Sequence, residues 1–300
     1  MKKSLWMALL LLTAMLSACS SGPDYKIQVT KDLYYQKDEL MPFEVKITEN
    51  NKAMKGLTVS AEMTMSNMDH GTYKVKLLEG KPGFYTGKIK LEMAGKYEMA
   101  FTLKKGRTKA ENVFDYTVKR PQGVAMINGK WITQKEVDFV TFLNYLSLAV
   151  KKETAQKTYS GKQLEEELSY LKSQEKTAED KNQILTQIIR LRSMAILAGE
   201  KGYKADDAEL NAEISKVQSQ YGQFETAKAM IKEYGDEKFW NQEKQQCKLM
   251  ILANIVQQDL LSQVKKENPK AGDQELKYLT EQKYEDLLVS QVNSLRILIL

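Results

Sequence analysis

The stretch Arg120-Pro121-Gln122-Gly123-Val124-Ala125-Met126-Ile127-Asn128-Gly129-Lys130-Trp131-Ile132-Thr133-Gln134-Lys135-Glu136 is where the chain changes period. Before it, apolar and polar residues alternate, as in Tyr97 to Leu103 and Val113 to Val118, the two-residue repeat of a strand with one buried face. After it, apolar residues recur three and four apart, the repeat of a helix. Between the two, short apolar arms flank Asn128-Gly129, a pair that accepts the positive φ angles of a tight hairpin turn. Thr133 and Glu136 then form a capping box, which predicts a helix carrying Val137, Val140, Phe142, Leu143 and Leu146.

Upstream, the alternating runs are Tyr25 to Val29, Phe43 to Ile47, Leu57 to Val59, Tyr73 to Leu77, Tyr85 to Leu91, Tyr97 to Leu103 and Val113 to Val118. Gly56, Gly80, Pro82-Gly83, Gly95 and Gly106 part them. About seven short strands at this spacing predict a small antiparallel, immunoglobulin-like β-sandwich over residues 25–119. The cysteine and tryptophan marks of antibody domains are absent, so the expectation rests on alternation alone.

Downstream, residues 122–300 read as mainly helical. Lys151 to Asp180 is rich in Lys, Glu and Gln and suggests a solvated helix pair. Ile184, Leu185, Ile188, Ile189, Leu191, Ala195 and Ile196 mark a buried helix that Gly199 and Gly202 end. Asp206 caps the next, Phe224 to Tyr234 makes another, and a long helix runs from Asp236 to about Lys266 before Pro269. One more helix follows. The end, Leu295-Arg296-Ile297-Leu298-Ile299-Leu300, is too apolar to lie free and is expected to pair as a strand with the hairpin at 124–132.

The start of the chain gives an address. Met1-Lys2-Lys3 followed by the apolar run Leu5 to Leu16 reads as a secretory signal, too short to span a bilayer comfortably. Leu16-Ser17-Ala18-Cys19 resembles the bacterial lipobox, which implies cleavage before Cys19 and its lipidation. Residues 1–19 are then the signal peptide and residues 20–24 a tether. The expected location is the extracytoplasmic face of a cell membrane, held by the lipid anchor. Cys247, the other of 2 cysteines, would have no disulfide partner.

Composition excludes several function classes. With 1 histidine, His70, neither a Ser/His/Asp constellation nor a histidine-rich zinc site can be built elsewhere. Residues 20–120 carry 18 basic and 13 acidic groups, and residues 121–300 carry 25 and 26. So scattered an excess is a solvated surface and does not indicate a nucleic-acid partner.

Two resemblances sharpen the expectation. The hairpin Val124 to Ile132 with Thr133 to Glu136, the helix ending in Glu200-Lys201-Gly202-Tyr203, and the Asp206 to Glu209 cap before a Gln-rich helix resemble the SurA amino-terminal domain. PrsA-type foldases and, more distantly, trigger factor show the same order. The resemblance spans residues 122–267 and implies an extracytoplasmic chaperone for unfolded or exported polypeptides. Those families usually insert a parvulin isomerase domain after the long helix. About 30 residues follow Pro269, and no histidine follows His70, so no isomerase activity and no catalytic residue are expected. Client-binding candidates are Phe139, Phe142, Tyr145, Leu146 and Tyr221, with Phe224, Met230, Tyr234, Phe239 and Trp240. Most of an apolar stripe at helical spacing packs in a core, and the remainder offers an adaptable surface.

The first half resembles the YtkA-like and FixH-like family over residues 25–118. The likeness is carried by Met63-Thr64-Met65-Ser66-Asn67-Met68-Asp69-His70-Gly71, then Gly83-Phe84-Tyr85-Thr86-Gly87 and Met93-Ala94-Gly95-Lys96-Tyr97. Relatives occur beside copper-efflux adaptors and oxidase assembly, which suggests a copper link. Met63, Met65, Met68 and His70 would form a soft ligand set suited to Cu(I). The competing reading is packing, because Val59, Ala61, Met63 and Met65 share one strand face. The sequence thus points first to a lipid-anchored chaperone-like protein and second to a copper-binding accessory.

Overall fold

The computed structural model describes residues 23–68 and 71–300. The signal segment with Cys19, most of the tether, and His70 lie outside the described residues. The chain divides into two compact units, one ending at Pro121 and the other running from Gln122 to Leu300.

The first unit holds β1 (Tyr25–Lys31), β2 (Met41–Glu49), β3 (Lys52–Ala53), β4 (Thr58–Met65), β5 (Thr72–Glu79), β6 (Phe84–Ile89), β7 (Gly95–Lys105) and β8 (Thr108–Val118). Five of the seven runs read as alternating lie wholly within one of these strands, while Leu57 just precedes β4 and Lys90 and Leu91 follow the end of β6. Their order is β1-β2-β6-β5-β4-β7-β8, with β3 on β2. Pairing is antiparallel throughout this path. The path bends into two layers at β5, whose residues from Thr72 to Leu77 pair with β4 while Leu78 and Glu79 pair with β6. Gly87 sits at this crossing. A Cβ there would lie 2.8 Å from both the Lys76 carbonyl oxygen and Val75 Cγ2, so glycine lets β6 pass close to β5.

Alternation translates directly into a core. Phe43, Val45 and Ile47 of β2 face Val59, Ala61 and Met63 of β4 and Tyr97, Met99, Phe101 and Leu103 of β7 in one buried cluster. Two tyrosines enter it with their hydroxyls satisfied. Tyr85 donates to the Met54 carbonyl at 2.9 Å and accepts from the Leu57 amide at 3.1 Å. Tyr97 donates to the Met93 carbonyl at 2.8 Å, four residues upstream, the tyrosine-corner arrangement of immunoglobulin-like sandwiches.

The second unit opens with the hairpin β9 (Ala125–Ile127) and β10 (Lys130–Ile132). Asn128 and Gly129 both take positive φ, 47° and 83°, as the turn requires. The apolar end of the chain forms β11 (Ile297–Ile299), antiparallel to β9 on the side away from β10. The tail is therefore paired onto the hairpin, as its composition predicts.

Seven helices follow among the described residues: α1 (Gln134–Thr158), α2 (Gly161–Ala178), α3 (Lys181–Glu200), α4 (Asp207–Gly222), α5 (Glu225–Tyr234), α6 (Asp236–Glu267) and α7 (Asp273–Ser294). The capping box at Thr133 and Glu136 is present, and Asp206 caps α4 through the Ala208 amide. The solvated pair expected at Lys151 to Asp180 takes a different division. α1 continues unbroken to Thr158 and α2 folds back on it, because Leu148, Ala155, Leu171 and Ala178 form a small buried seam under the charged surface. α3 lies at the centre, packed against α1, α6 and α7.

Candidate binding cleft

A cleft of about 310 Å³ opens in the helical unit where α1 and α6 stand on either side of α3. Its floor is Ile188 and Leu191, one wall is Phe139 and Val140 of α1, and the other is a row of amides on α6 ending in Leu249. The apolar floor follows from the stripe of α3, which buries Ile184, Ile188 and Ile189 against the hairpin and turns Leu191 partly outward.

Two charged groups line the cleft, and they are paired. Arg192 donates to Glu136 across the α1–α3 junction and also to the Trp131 carbonyl at 3.0 Å. Glu136 is anchored in turn by the capping box, its Oε2 accepting from the Thr133 amide at 2.9 Å. The pair thus ties the hairpin, the start of α1 and the middle of α3 together at one end of the cleft. The remaining polar groups are the neutral amides Asn241, Gln242, Gln245 and Gln246. Gln242 is held from behind by Tyr234, whose hydroxyl donates to its Oε1 at 2.7 Å.

Beside the cleft lies an aromatic cluster. Phe139 and Phe239 are buried, with ring centroids 5.7 Å apart in an edge-on arrangement. Around them Phe142 meets Tyr234 at 4.4 Å and Trp240 meets Phe239 at 4.8 Å. The cluster's rim is half-buried and includes Phe142, Tyr221, Phe224, Met230, Tyr234 and Trp240. Of the ten residues singled out as client-binding candidates, Phe139, Leu146 and Phe239 are interior, so their role is packing. Phe139 lines the cleft as part of its wall. Tyr145 lies apart from the cluster, its hydroxyl donating to Glu179 at 2.8 Å.

α6 also buries a carboxyl. Glu243 is 5% exposed and occupies a position on the stripe Phe239, Cys247 and Ile251 where an aliphatic residue would pack. Burial pushes its carboxyl up from the usual range to about 7, against a lowering by the Cys247 thiol that donates to it. Burial, and then the proximity of Glu243, push the Cys247 thiol up to about 12. Tyr221 on α4 is raised to about 12 chiefly by burial and next by Glu243.

Reading apolar residues located the aromatic cluster and missed the amides, the Glu136–Arg192 pair and Glu243. The available signals were Asn241-Gln242 followed one turn later by Gln245-Gln246, and a glutamate at i+4 from Phe239 and i−4 from Cys247.

The methionine candidates of the first unit fall in different environments. Met63 is fully buried, opposite Met99 on β7. Met65 is half-buried and its Cε occupies the space a Cβ on Gly95 would need. Met68 is 54% exposed. His70 lies outside the described residues. Among the described residues no group of three His, Cys, Asp or Glu side chains is placed to hold a metal, and no helix is long and apolar enough to cross a membrane.

Residues 20–102 match the YtkA-like family, a stretch that covers the methionine-rich strand and turn. Among solved structures, the chain is similar to the fibronectin type-III domain of human fibronectin type III domain containing protein 3, at 19% identity over 36% of this chain and 95% of that one, with a TM-score of 0.23. No curated protein matches the chain.

Proposed function

We propose that this is a lipid-anchored, extracytoplasmic chaperone-like protein that binds exported or membrane-associated polypeptides and has no isomerase activity. The observation that carries the reading is the cleft over α3, an apolar floor flanked by neutral amides, with its two charges paired to each other. Such a surface suits a chain whose apolar residues are not yet buried, because it offers apolar contact without demanding a fixed charge pattern. The half-buried aromatic rim beside it adds adaptable contact area. The likeness of residues 122–267 to the SurA amino-terminal domain supports the same reading, and the lipobox-like Leu16-Ser17-Ala18-Cys19 supports the anchor. The helical unit contains no histidine for parvulin-type chemistry.

The test is aggregation of two unrelated unfolded proteins in the presence of the chain from residue 20 onward. Suppression of both at near-equimolar ratios is expected. Failure against both, with no binding to either, would remove the chaperone reading.

A second reading is Cu(I) capture by the turn after β4. It is favoured by Met65 and Met68, which are half-buried and exposed just before His70, and it does not need the buried Met63. Cu(I) titration of the chain with and without Met68→Leu and His70→Ala decides it: loss of tight binding in the variants supports the site, and unchanged binding removes it.

A further inference from the structure

We infer that the cleft over α3 takes an uncharged, extended polypeptide segment of about four residues, whose main chain is read by the α6 amides and one of whose aliphatic side chains sits on Ile188 and Leu191. The inference rests on the chaperone reading of the same site and specifies its ligand.

Charge comes first. Glu136 and Arg192 satisfy each other, and Arg192 is further occupied by the Trp131 carbonyl. Every other polar lining group is a neutral amide. A charged side chain entering the cleft would shed water without gaining a counter-charge, which is costly, whereas an aliphatic one gains by burial.

Spacing comes second. Asn241 and Gln245 are four residues apart on α6, as are Gln242 and Gln246. Four helical residues advance about 6 Å along the axis. The main-chain groups on one side of an extended chain repeat every two residues, about 6.6 Å. Successive amide pairs can therefore meet successive main-chain groups, and each amide both donates and accepts. From Asn241 to Leu249 the helix advances about 12 Å, the length of roughly four extended residues.

Organisation comes third. Tyr234 fixes the carbonyl end of Gln242, so its NH₂ is the group directed to a ligand, and less rotamer freedom is lost on binding. A bound helix would not use this row, since its own main-chain groups are already paired.

The experiment measures fluorescence anisotropy of four labelled octapeptides with blocked ends against the chain from residue 20 onward. The first has a neutral core of valine and leucine. The second has one core residue replaced by lysine, the third is N-methylated at alternate core residues, and the fourth is a helix-stapled amphipathic peptide. The neutral peptide is expected to bind, with the lysine and N-methyl versions weakened roughly five- to tenfold each and the stapled peptide weaker still. The double variant Gln245→Ala/Gln246→Ala, with Gln245 exposed and Gln246 half-buried on α6, should weaken the neutral peptide by a similar factor while its melting curve is unchanged. Equal binding of the neutral and N-methylated peptides, preference for the stapled helix, or indifference to the double variant would overturn the inference. If aggregation is still suppressed in that case, the chaperone reading stands and only the ligand assignment falls. If suppression is absent as well, both fall.

Discussion

Cys247 donates its thiol to Oε1 of Glu243 at 3.8 Å, one turn away on α6, while Oε2 of the same carboxyl is buried without a hydrogen-bond partner. A carboxyl so placed is held in its neutral form, with burial as the main cause. In the unfolded chain it ionises near its ordinary value of 4.5, and in the folded protein near 7. Between those limits the folded state binds more protons than the unfolded one, so stability falls as pH rises through that window and levels off above it. The loss is about 3 kcal/mol in all. Glu243→Gln removes the titration. Chemical denaturation followed by far-UV circular dichroism should give a variant more stable than the parent at pH 8 by that amount and close to it at pH 4.5. Parallel stability profiles for the two would show that the carboxyl is not desolvated.

A second prediction concerns the bond between Arg192 and Glu136. Removing Arg192 leaves Glu136 its cap role but takes away a donor to the Trp131 carbonyl and loosens the hairpin from α3. Arg192→Ala is expected to lower stability by about 1–3 kcal/mol. Glu136→Gln, which keeps the capping-box geometry, should lower it by less. A double-mutant cycle between the positions reads the pair itself, with a coupling near 1 kcal/mol expected because both side chains keep some solvent contact. A coupling of zero would mean that Arg192 acts only through the Trp131 carbonyl.

These sites show what a linear pattern can carry. The alternation of β7, the Asn128-Gly129 turn, the Thr133/Glu136 box and the pairing of Ile297 to Ile299 were all legible, since each is a local rule or the burial demand of one segment. The shift of β5 from β4 to β6 between Leu77 and Leu78 was not, because the alternating run stops at Leu77 and the switch is set by which neighbour lies beyond. The cleft was hidden for the same reason. Periodicity places Leu191 on an apolar face of α3, but only the spacing of α1 and α6 leaves that face uncovered. The glutamines of α6 gain a role only from the apolar floor beside them.

The turn at Asn128 separates two contributions that usually travel together. Its φ of 47° is in the left-handed region, and its Oδ1 accepts from the Arg296 amide at 2.9 Å, joining the hairpin to the start of β11. Asn128→Gly keeps the backbone conformation and loses that one exposed bond, so a cost of about 0.5–1 kcal/mol is expected. Asn128→Ala loses the bond and also strains the backbone, adding about 1 kcal/mol. Thermal melts of the two variants give the order directly. Equal destabilisation would assign the whole effect to the hydrogen bond, and no change in either would mean that β11 does not depend on this link.

The last prediction contrasts two glycines in the sandwich that look alike in sequence, Gly87 in the Gly-x-x-x-Gly run of β6 and Gly95 at the start of β7. A Cβ on Gly95 meets the terminal Cε of Met65, an unbranched side chain that can rotate away. A Cβ on Gly87 meets the Lys76 carbonyl oxygen and Val75 Cγ2, atoms fixed by β5 pairing with β4. Gly95→Ala should therefore cost under about 0.5 kcal/mol, and Gly87→Ala about 2 kcal/mol, because only the second pushes two layers apart. Denaturation followed by tyrosine fluorescence of the sandwich measures both. If Gly95→Ala proves the costlier, Met65 is locked in place, and Cu(I) titration of that variant then asks what holds it: weakened binding would make Met65 part of the metal site, and unchanged binding would make it a packing residue.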